Sequence, residues 1–275
     1  PVALMNIFES MIDEFRVGED EAFAMSDKDQ RVFVDCSFAF AVVWSIGGTT
    51  DGPGRKKFDD FFRKLVDKRV DEKPERADYD LGPGLAIAYP DNKLAKTLPA
   101  ASEGSVYDLH FDKEMGRWKN WLKVATVDTS PIHERTSFLD IVVTTIDTVR
   151  YRFLFDLLVD RGKHVLFAGP TGTGKTVYIQ AALDARDKAK FRNIQSTFSA
   201  QTSANAVQDI IDSKLDKRRK GVFGPPIGSR AVVFVDDLNM PELEEYGAQP
   251  PIELVRQFFD HGGWYDRGEL SMRQL

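Results

Sequence analysis

Residues 169–176 combine glycines, a lysine and a threonine at the spacing of a phosphate-binding loop, Gly-x-x-x-x-Gly-Lys-[Ser/Thr]. Glycines let the backbone curl so that its N–H groups converge on an anion. Lys175 can place its ammonium on the β- and γ-phosphates, and the Thr176 hydroxyl can bind Mg²⁺. The loop therefore predicts binding of ATP or ADP with Mg²⁺. The predicted nucleotide contacts are Gly169, Pro170, Thr171, Gly172, Thr173, Gly174, Lys175, Thr176 and Val177.

A pair of carboxylates follows an apolar run at residues 231–237, Ala-Val-Val-Phe-Val-Asp-Asp, which is the Walker B pattern. Asp236 is predicted to hold Mg²⁺, in part through water, because Mg²⁺ keeps some of its hydration shell. Asp237 stands where a carboxylate would polarise an attacking water, so we predict Lys175 and Asp237 as the catalytic residues. A solvated turn is the other interpretation of two such acids. The phosphate-binding loop upstream favours the catalytic one.

Strands and helices must alternate around these motifs if they are to meet. The apolar run at 164–168 predicts a buried parallel strand before the loop, and a helix should follow it. Together with the phosphate-binding loop, alternation of this kind predicts an α/β fold of the P-loop NTPase class, with a parallel sheet covered by helices on both faces. The ligand is expected at the carboxyl ends of the strands. The further predicted elements are a helix at 177–186, strands at 193–199 and 231–237, and helices at 148–159, at 203–215 and from Pro251.

The first part of the chain has a different pattern. Apolar residues at helical spacing predict helices within residues 1–70, including a buried one at 31–46. Proline, glycine and charge at 71–105 predict an irregular connection, and 107–124 predicts a hairpin or edge strand. We therefore expect a smaller, mainly helical domain at 1–124 and a nucleotide-binding domain at 125–275.

Composition narrows the classes of partner. The 275 residues carry a net charge of −6, so no global basic field favours nucleic acid or a membrane. The basic run at 215–220 is expected to be a solvated helix end, and no aromatic platform accompanies it. The apolar stretch at 38–46 is too short to span a bilayer, and no signal peptide is recognised. Cys36 is the only cysteine, which fits a reducing compartment, and the start at Pro1 indicates a piece of a longer protein.

Longer motifs lie around and after the acid pair: Val-Phe-Val-Asp-Asp-Leu-Asn-Met-Pro at 233–241, Tyr-Gly-Ala-Gln-Pro-Pro-Ile-Glu-Leu at 246–254, and Asp-His-Gly-Gly-Trp-Tyr-Asp at 260–266. They resemble the third AAA+ module of axonemal dynein heavy chains. Val-Trp-Ser-Ile-Gly-Gly at 43–48 and Arg-Lys-Lys-Phe-Asp-Asp-Phe-Phe at 55–62 resemble the helical lid of the second module, which implies that residues 1–124 are this lid with its connection. The segment at 140–150 is similar to the one that lines the adenine pocket, which implies base contacts by Val142 and Val143.

The resemblance implies a microtubule motor with six AAA+ modules in a ring, acting in the axoneme of cilia and flagella, within the cytoplasm and its cytoskeleton. The third module would be a regulatory nucleotide site. Its partners would be the neighbouring modules and, through other regions, microtubules and dynein intermediate and light chains. The helices at 1–70 should then not close over the loop of this chain.

Two departures limit the activity that the resemblance implies. Asp237 stands where AAA+ proteins commonly have glutamate, so its carboxylate is one methylene shorter. The sensor residues, the module's own lid and the neighbour's arginine finger lie outside the chain, so the isolated fragment should be a very poor enzyme. A remodelling AAA+ ATPase of another kind, and a structural module that holds nucleotide without turnover, are the alternative functions.

Overall fold

The computed structural model describes residues 2–12, 27–66, 98–112, 115–124 and 144–275. The chain divides into two compact units, residues 1–166 and 167–275. Each unit has its own cluster of buried hydrophobic residues.

The first unit is mainly helical. Its core cluster centres on α2, whose buried side chains include Phe33, Cys36, Phe40 and Trp44. By length and composition alone, residues 29–49 could cross a membrane, but 56% of the most apolar window is buried inside the unit. Packing in the core therefore accounts for its hydropathy. The helices are α1 (Val2–Ile12), α2 (Asp27–Ser45), α3 (Gly52–Val66), α4 (Trp121–Val124) and α5 (Ile146–Asp160).

A hairpin closes this core, as the sequence predicts for 107–124. Strands β1 (Leu109–Asp112) and β2 (Arg117–Asn120) pair antiparallel. Trp121, which is fully buried, packs with His110 and Phe153, at ring-centroid distances of 4.6 and 5.5 Å. Phe153 belongs to α5, so this helix lies in the first unit.

The second unit is α/β, as predicted. Strands β3 (Phe191–Thr197) and β6 (Arg230–Asp236) pair in parallel, with Thr197 opposite Asp236. Three helices flank them in the chain: α6 (Lys175–Asp184), α7 (Ala204–Asp212) and α8 (Pro250–His261). Ser203 begins α7 by accepting a hydrogen bond from the Ala206 N–H at 3.2 Å. Buried residues in and directly after β3, in α7 and near the C-terminus share one core: Ile194, Phe198, Val207, Ile211 and Trp264.

The predicted strand at 164–168 is wrong. Residues 163–170 form no strand, and the Val165 and Leu166 side chains are exposed. A strand exists only through hydrogen bonds to a neighbour, and in the described part of the chain the parallel sheet consists of β3 and β6. Without a neighbouring strand, the backbone of this apolar run makes no strand hydrogen bonds, and its side chains are not buried by a sheet.

The basic run at 215–220 is also not a helix end. Residues Asp216–Arg219 form β4, which pairs antiparallel with β5 (Val222–Gly224). The sheet continues through β8 (Met272–Gln274) to β7 (Gly263–Tyr265), in the order β4-β5-β8-β7. All four β4 residues are exposed, as charged residues on an edge strand are expected to be.

Candidate functional site

The phosphate-binding loop is a turn that leads directly into α6. Gly172 and Gly174 have φ angles of 78° and 80°, in the left-handed region that favours glycine. A Cβ at Gly174 would also meet the Tyr178 ring at 3.0 Å. The helix begins at Lys175. The Tyr178 N–H donates to the carbonyl of the N-cap residue, Gly174, at 3.0 Å. The N–H groups before it form the open, electropositive end of the helix.

Lys175 folds back over its own loop. Its ammonium Nζ donates to the carbonyl oxygens of Gly169 at 3.0 Å and Pro170 at 2.6 Å. A third contact, 3.4 Å, reaches the Thr173 hydroxyl. The side chain is therefore held at the mouth of the loop, where a bound anion would exchange with these oxygens.

The two acids lie at the carboxyl end of β6. Asp236 is the last residue of the strand, and its Oδ1 accepts the N–H of Asp237 at 3.0 Å. Asp237 is exposed and has a φ of 52°, one of two positive values at non-glycine positions in the described chain. Aspartate tolerates this conformation better than most residues do. The acid pair therefore occupies a sharp turn directly after the strand.

That turn is held by a glutamine that sequence reasoning missed. The Met240 N–H donates to the Asp237 carbonyl at 2.9 Å. The Gln249 side-chain amide donates to the carbonyls of Asn239 at 3.2 Å and Pro241 at 2.6 Å. The signal available in the sequence was a glutamine directly before a Pro-Pro pair, because two prolines at a helix start have no N–H to cap and leave the glutamine side chain free for other contacts.

The structure brings some of the predicted site residues together and not others. Residues 169–177 form one continuous loop and helix start, and Asp236 and Asp237 form one turn. Among the described residues, no hydrogen bond or ion pair joins Lys175 or Thr176 to either acid. Val142 and Val143 lie outside the described residues, so the adenine contact stays a prediction.

A cleft of about 380 Å³ lies near the turn but not at the phosphate-binding loop. It is lined by the start of α7, by Glu242 and Glu244, and by Pro250 and Pro251. Two of the lining side chains are carboxylates, which disfavour an anion there. The cleft therefore does not compete with the loop as a phosphate site.

The residues present fit a magnesium nucleotide. The left-handed glycines and the helix start supply N–H groups for phosphate, and Lys175 supplies a cation. No group of three or more His, Cys, Asp and Glu side chains in the described ranges is placed to hold a metal. Mg²⁺ needs no such cluster, since it is commonly held by one or two protein oxygens together with phosphates and water. Thr176 and Asp236 are oxygen donors of this kind.

The loop, the helix that it opens and the parallel strand with its terminal acids define a P-loop nucleotide-binding protein of the α/β class. Two family models match the chain, with their boundary between residues 123 and 130, before the boundary of the two compact units at 166 and 167. The model of the P-loop containing dynein motor region matches residues 130–275, and that of the dynein heavy chain AAA lid domain matches residues 2–123. The chain therefore belongs to the dynein heavy chain family.

Relatives with similar sequences carry axonemal names. The chain is 41% identical over 273 residues to dynein axonemal heavy chain 12 of Mus musculus, covering 98% of this chain and 8% of that protein. It is 45% identical over 236 residues to the Homo sapiens protein of the same name, covering 85% and 7%. Dynein axonemal heavy chain 3 of Homo sapiens is 40% identical over 274 residues, covering 98% and 6%. The resemblance to axonemal heavy chains is confirmed, and the chain spans less than a tenth of the length of these relatives.

Proposed function

We propose that the chain is the part of an axonemal dynein heavy chain that binds magnesium ATP or ADP at residues 169–176. The observation that carries the proposal is the loop itself, with two left-handed glycines, a lysine at its mouth and the open end of α6. Membership in the dynein heavy chain family supports it.

The roles of individual residues follow from their chemistry. The loop N–H groups bind and orient the phosphates, and Lys175 exchanges its carbonyl partners for phosphate oxygens. Thr176 and Asp236 hold Mg²⁺, which neutralises charge on the phosphates when it is bound. Asp237 accepts the proton of, or orients, the attacking water.

In the full-length protein, we place this site in a ring of AAA+ modules that moves along microtubules. The module would be the third, the site regulatory, and residues 1–124 the lid of the second module, with 125–275 as the nucleotide-binding domain. The helices at 1–70 would face the neighbouring module. Axonemal names among the relatives support a place in the cilium or flagellum, with the other modules, microtubules, and intermediate and light chains as partners.

One observation favours a second function, in which the site binds nucleotide without hydrolysing it. Asp237 has a short side chain on a left-handed backbone in an exposed turn. Such a carboxylate is less able to reach a water at the γ-phosphate than the glutamate that is common at this position. The site would then hold nucleotide as a fixed brace without turnover.

Replacing Lys175 tests the binding site directly. Lys175→Ala removes charge-assisted hydrogen bonds worth roughly 1.5–3 kcal/mol each to a phosphate. ATP affinity should therefore fall by about tenfold to a hundredfold in a calorimetric titration with Mg²⁺. Lys188→Ala is the matched control, because Lys188 is exposed and remote in sequence from the loop. Equal affinity of the Lys175 variant and the unaltered chain would refute the assignment.

A further inference from the structure

We propose that Gln249 is a positioning residue for the acid pair Asp236–Asp237. Its side chain holds the turn after β6 in the shape that sets the direction of both carboxylates. The inference rests on the proposed nucleotide site and deepens it. Gln249 lies ten residues or more beyond both acids in the chain, so it acts through the turn.

A series of hydrogen bonds connects the Gln249 side chain to Asp237. The Gln249 amide nitrogen donates to the Asn239 and Pro241 carbonyls, at 3.2 and 2.6 Å. Between those two residues, the Met240 N–H donates to the Asp237 carbonyl at 2.9 Å. The Gln249 amide therefore binds the residues directly before and after Met240, whose N–H closes the turn.

The same turn fixes the two acids relative to each other. The Asp237 N–H donates to Asp236 Oδ1 at 3.0 Å, and Asp237 itself has a left-handed backbone. That conformation is less favourable than the extended or helical one for any residue other than glycine. It persists because surrounding contacts hold it, and in the described part of the chain the Gln249 amide contributes two side-chain contacts to this turn.

The start of α8 explains why this glutamine is available. Gln249 is the N-cap residue, yet its side chain caps nothing in the helix. Pro250 and Pro251 have no N–H, and the next two N–H groups, of Ile252 and Glu253, donate to the Gln249 carbonyl at 2.9 and 3.1 Å. The first turn of the helix therefore needs no side-chain cap. The amide of Gln249 can face back across the loop instead.

A second tether anchors the loop on its other side. The Glu242 N–H donates to the Ala200 carbonyl at 3.3 Å, and the Phe198 N–H donates to the Asp236 carbonyl at 2.9 Å. These bonds tie the loop to the segment after β3. Loss of the glutamine contacts should therefore loosen the turn without releasing the whole loop, which makes a local effect measurable.

The test uses the full-length heavy chain with the P-loop lysines of its other modules changed to alanine. Gln249→Glu keeps the shape but replaces the donor with a carboxylate, which the two carbonyls repel. Gln249→Lys keeps a donor. Gln201→Glu is the matched control, because Gln201 is exposed in the neighbouring loop. For each variant we would measure ATP affinity, the single-turnover hydrolysis rate and the unfolding temperature.

We expect Gln249→Glu to lower the hydrolysis rate by roughly tenfold to a hundredfold, as small errors in catalytic geometry do, with ATP affinity within about twofold. Gln249→Lys should retain most of the rate, and Gln201→Glu all of it. A rate for Gln249→Glu equal to the original would overturn the proposal, as would parallel loss of rate, affinity and folding. If the Glu variant does not fold, Gln249→Ala against Gln249→Lys makes the same comparison.

The nucleotide site is tested separately in the same protein. If Lys175→Ala binds ATP as tightly as the original, the nucleotide assignment fails. If Lys175→Ala weakens binding but the Gln249 variants hydrolyse normally, only the positioning role fails. An intact chain that binds ATP without ever hydrolysing it would also overturn the positioning role.

Discussion

Asp237 shows how a single residue couples backbone and chemistry. Its φ of 52° puts it in a region where a β-branched or bulky side chain would be an outlier. Aspartate and asparagine share the short polar side chain that suits this region. An Asp→Asn change therefore separates the loss of the carboxylate from any change in the turn.

We predict that Asp237→Asn slows turnover at this site and leaves ATP bound, since Asp236 still serves Mg²⁺. Asp237→Glu should speed turnover, because the carboxylate advances by about one C–C bond and errors near 1 Å can cost on the order of 10²-fold. The measurement is single-turnover hydrolysis in the full-length motor with the other sites disabled. Identical rates for all three proteins would show that Asp237 is not the catalytic carboxylate.

Asp266 gives the second unit a sensitivity to acid. The backbone N–H groups of Glu269 and Gly268 donate to its Oδ1, each at 2.7 Å, and Arg273 forms an ion pair with it. These contacts hold the pKa of Asp266 below its ordinary value of 3.8. A lowered folded-state pKa adds stability that is present above the unfolded pKa and is lost as pH falls through the folded one.

Asp266→Asn should therefore flatten the pH dependence of stability below about pH 4, because its uncharged amide oxygen has no proton to gain. The check is urea unfolding of the 275-residue chain and the variant between about pH 3 and pH 7. The free energies of unfolding should differ most at neutral pH and converge in acid. Curves that stay parallel throughout would contradict the prediction.

At the scale of elements, a close contact sets how α2 ends. Gly47 begins the short 3-10 helix Gly47–Thr49, and the Tyr107 hydroxyl donates to its carbonyl at 2.9 Å. A Cβ at Gly47 would lie 2.5 Å from that hydroxyl and 2.6 Å from the Phe58 ring. The helical turn, the hairpin region and α3 can approach this closely only because the residue is glycine.

Gly47→Ala should destabilise the chain by about 1–3 kcal/mol, the usual cost of overpacking a core. Gly48→Ala is a matched control one residue away, where a new Cβ would have its nearest neighbours at 3.9 Å. Thermal or urea unfolding followed by tryptophan fluorescence would measure both. Equal stability of the two variants would show that the core yields around Tyr107.

Elements that follow from local signals were predicted well. The helices at α2, α3, α6, α7 and α8 follow apolar spacing, caps and prolines, all of which are written within one segment. Segments 164–168 and 215–220 were misassigned for one physical reason. Whether an extended segment becomes a strand depends on a neighbour that is distant in sequence, and composition does not supply it.

At the scale of the whole molecule, the α/β class and the family followed from sequence, whereas the geometry of the site followed only in part. The loop glycines and the acids were found from spacing. Spacing did not predict the left-handed turn at Asp237 or the hydrogen bonds that connect it to Gln249. These bonds end on backbone carbonyls, which any residue type could supply. The assignment of α5 to the first unit likewise depends on tertiary contacts.

The carbonyl contacts of Lys175 change what an alanine substitution there can report. Two loop carbonyl oxygens accept hydrogen bonds from the ammonium, so binding of phosphate to Lys175 would be a trade between two sets of bonds. Removing the side chain deletes the starting set along with the final one. In a thermodynamic cycle, the measured loss of affinity is therefore a lower bound on the strength of the lysine–phosphate contact.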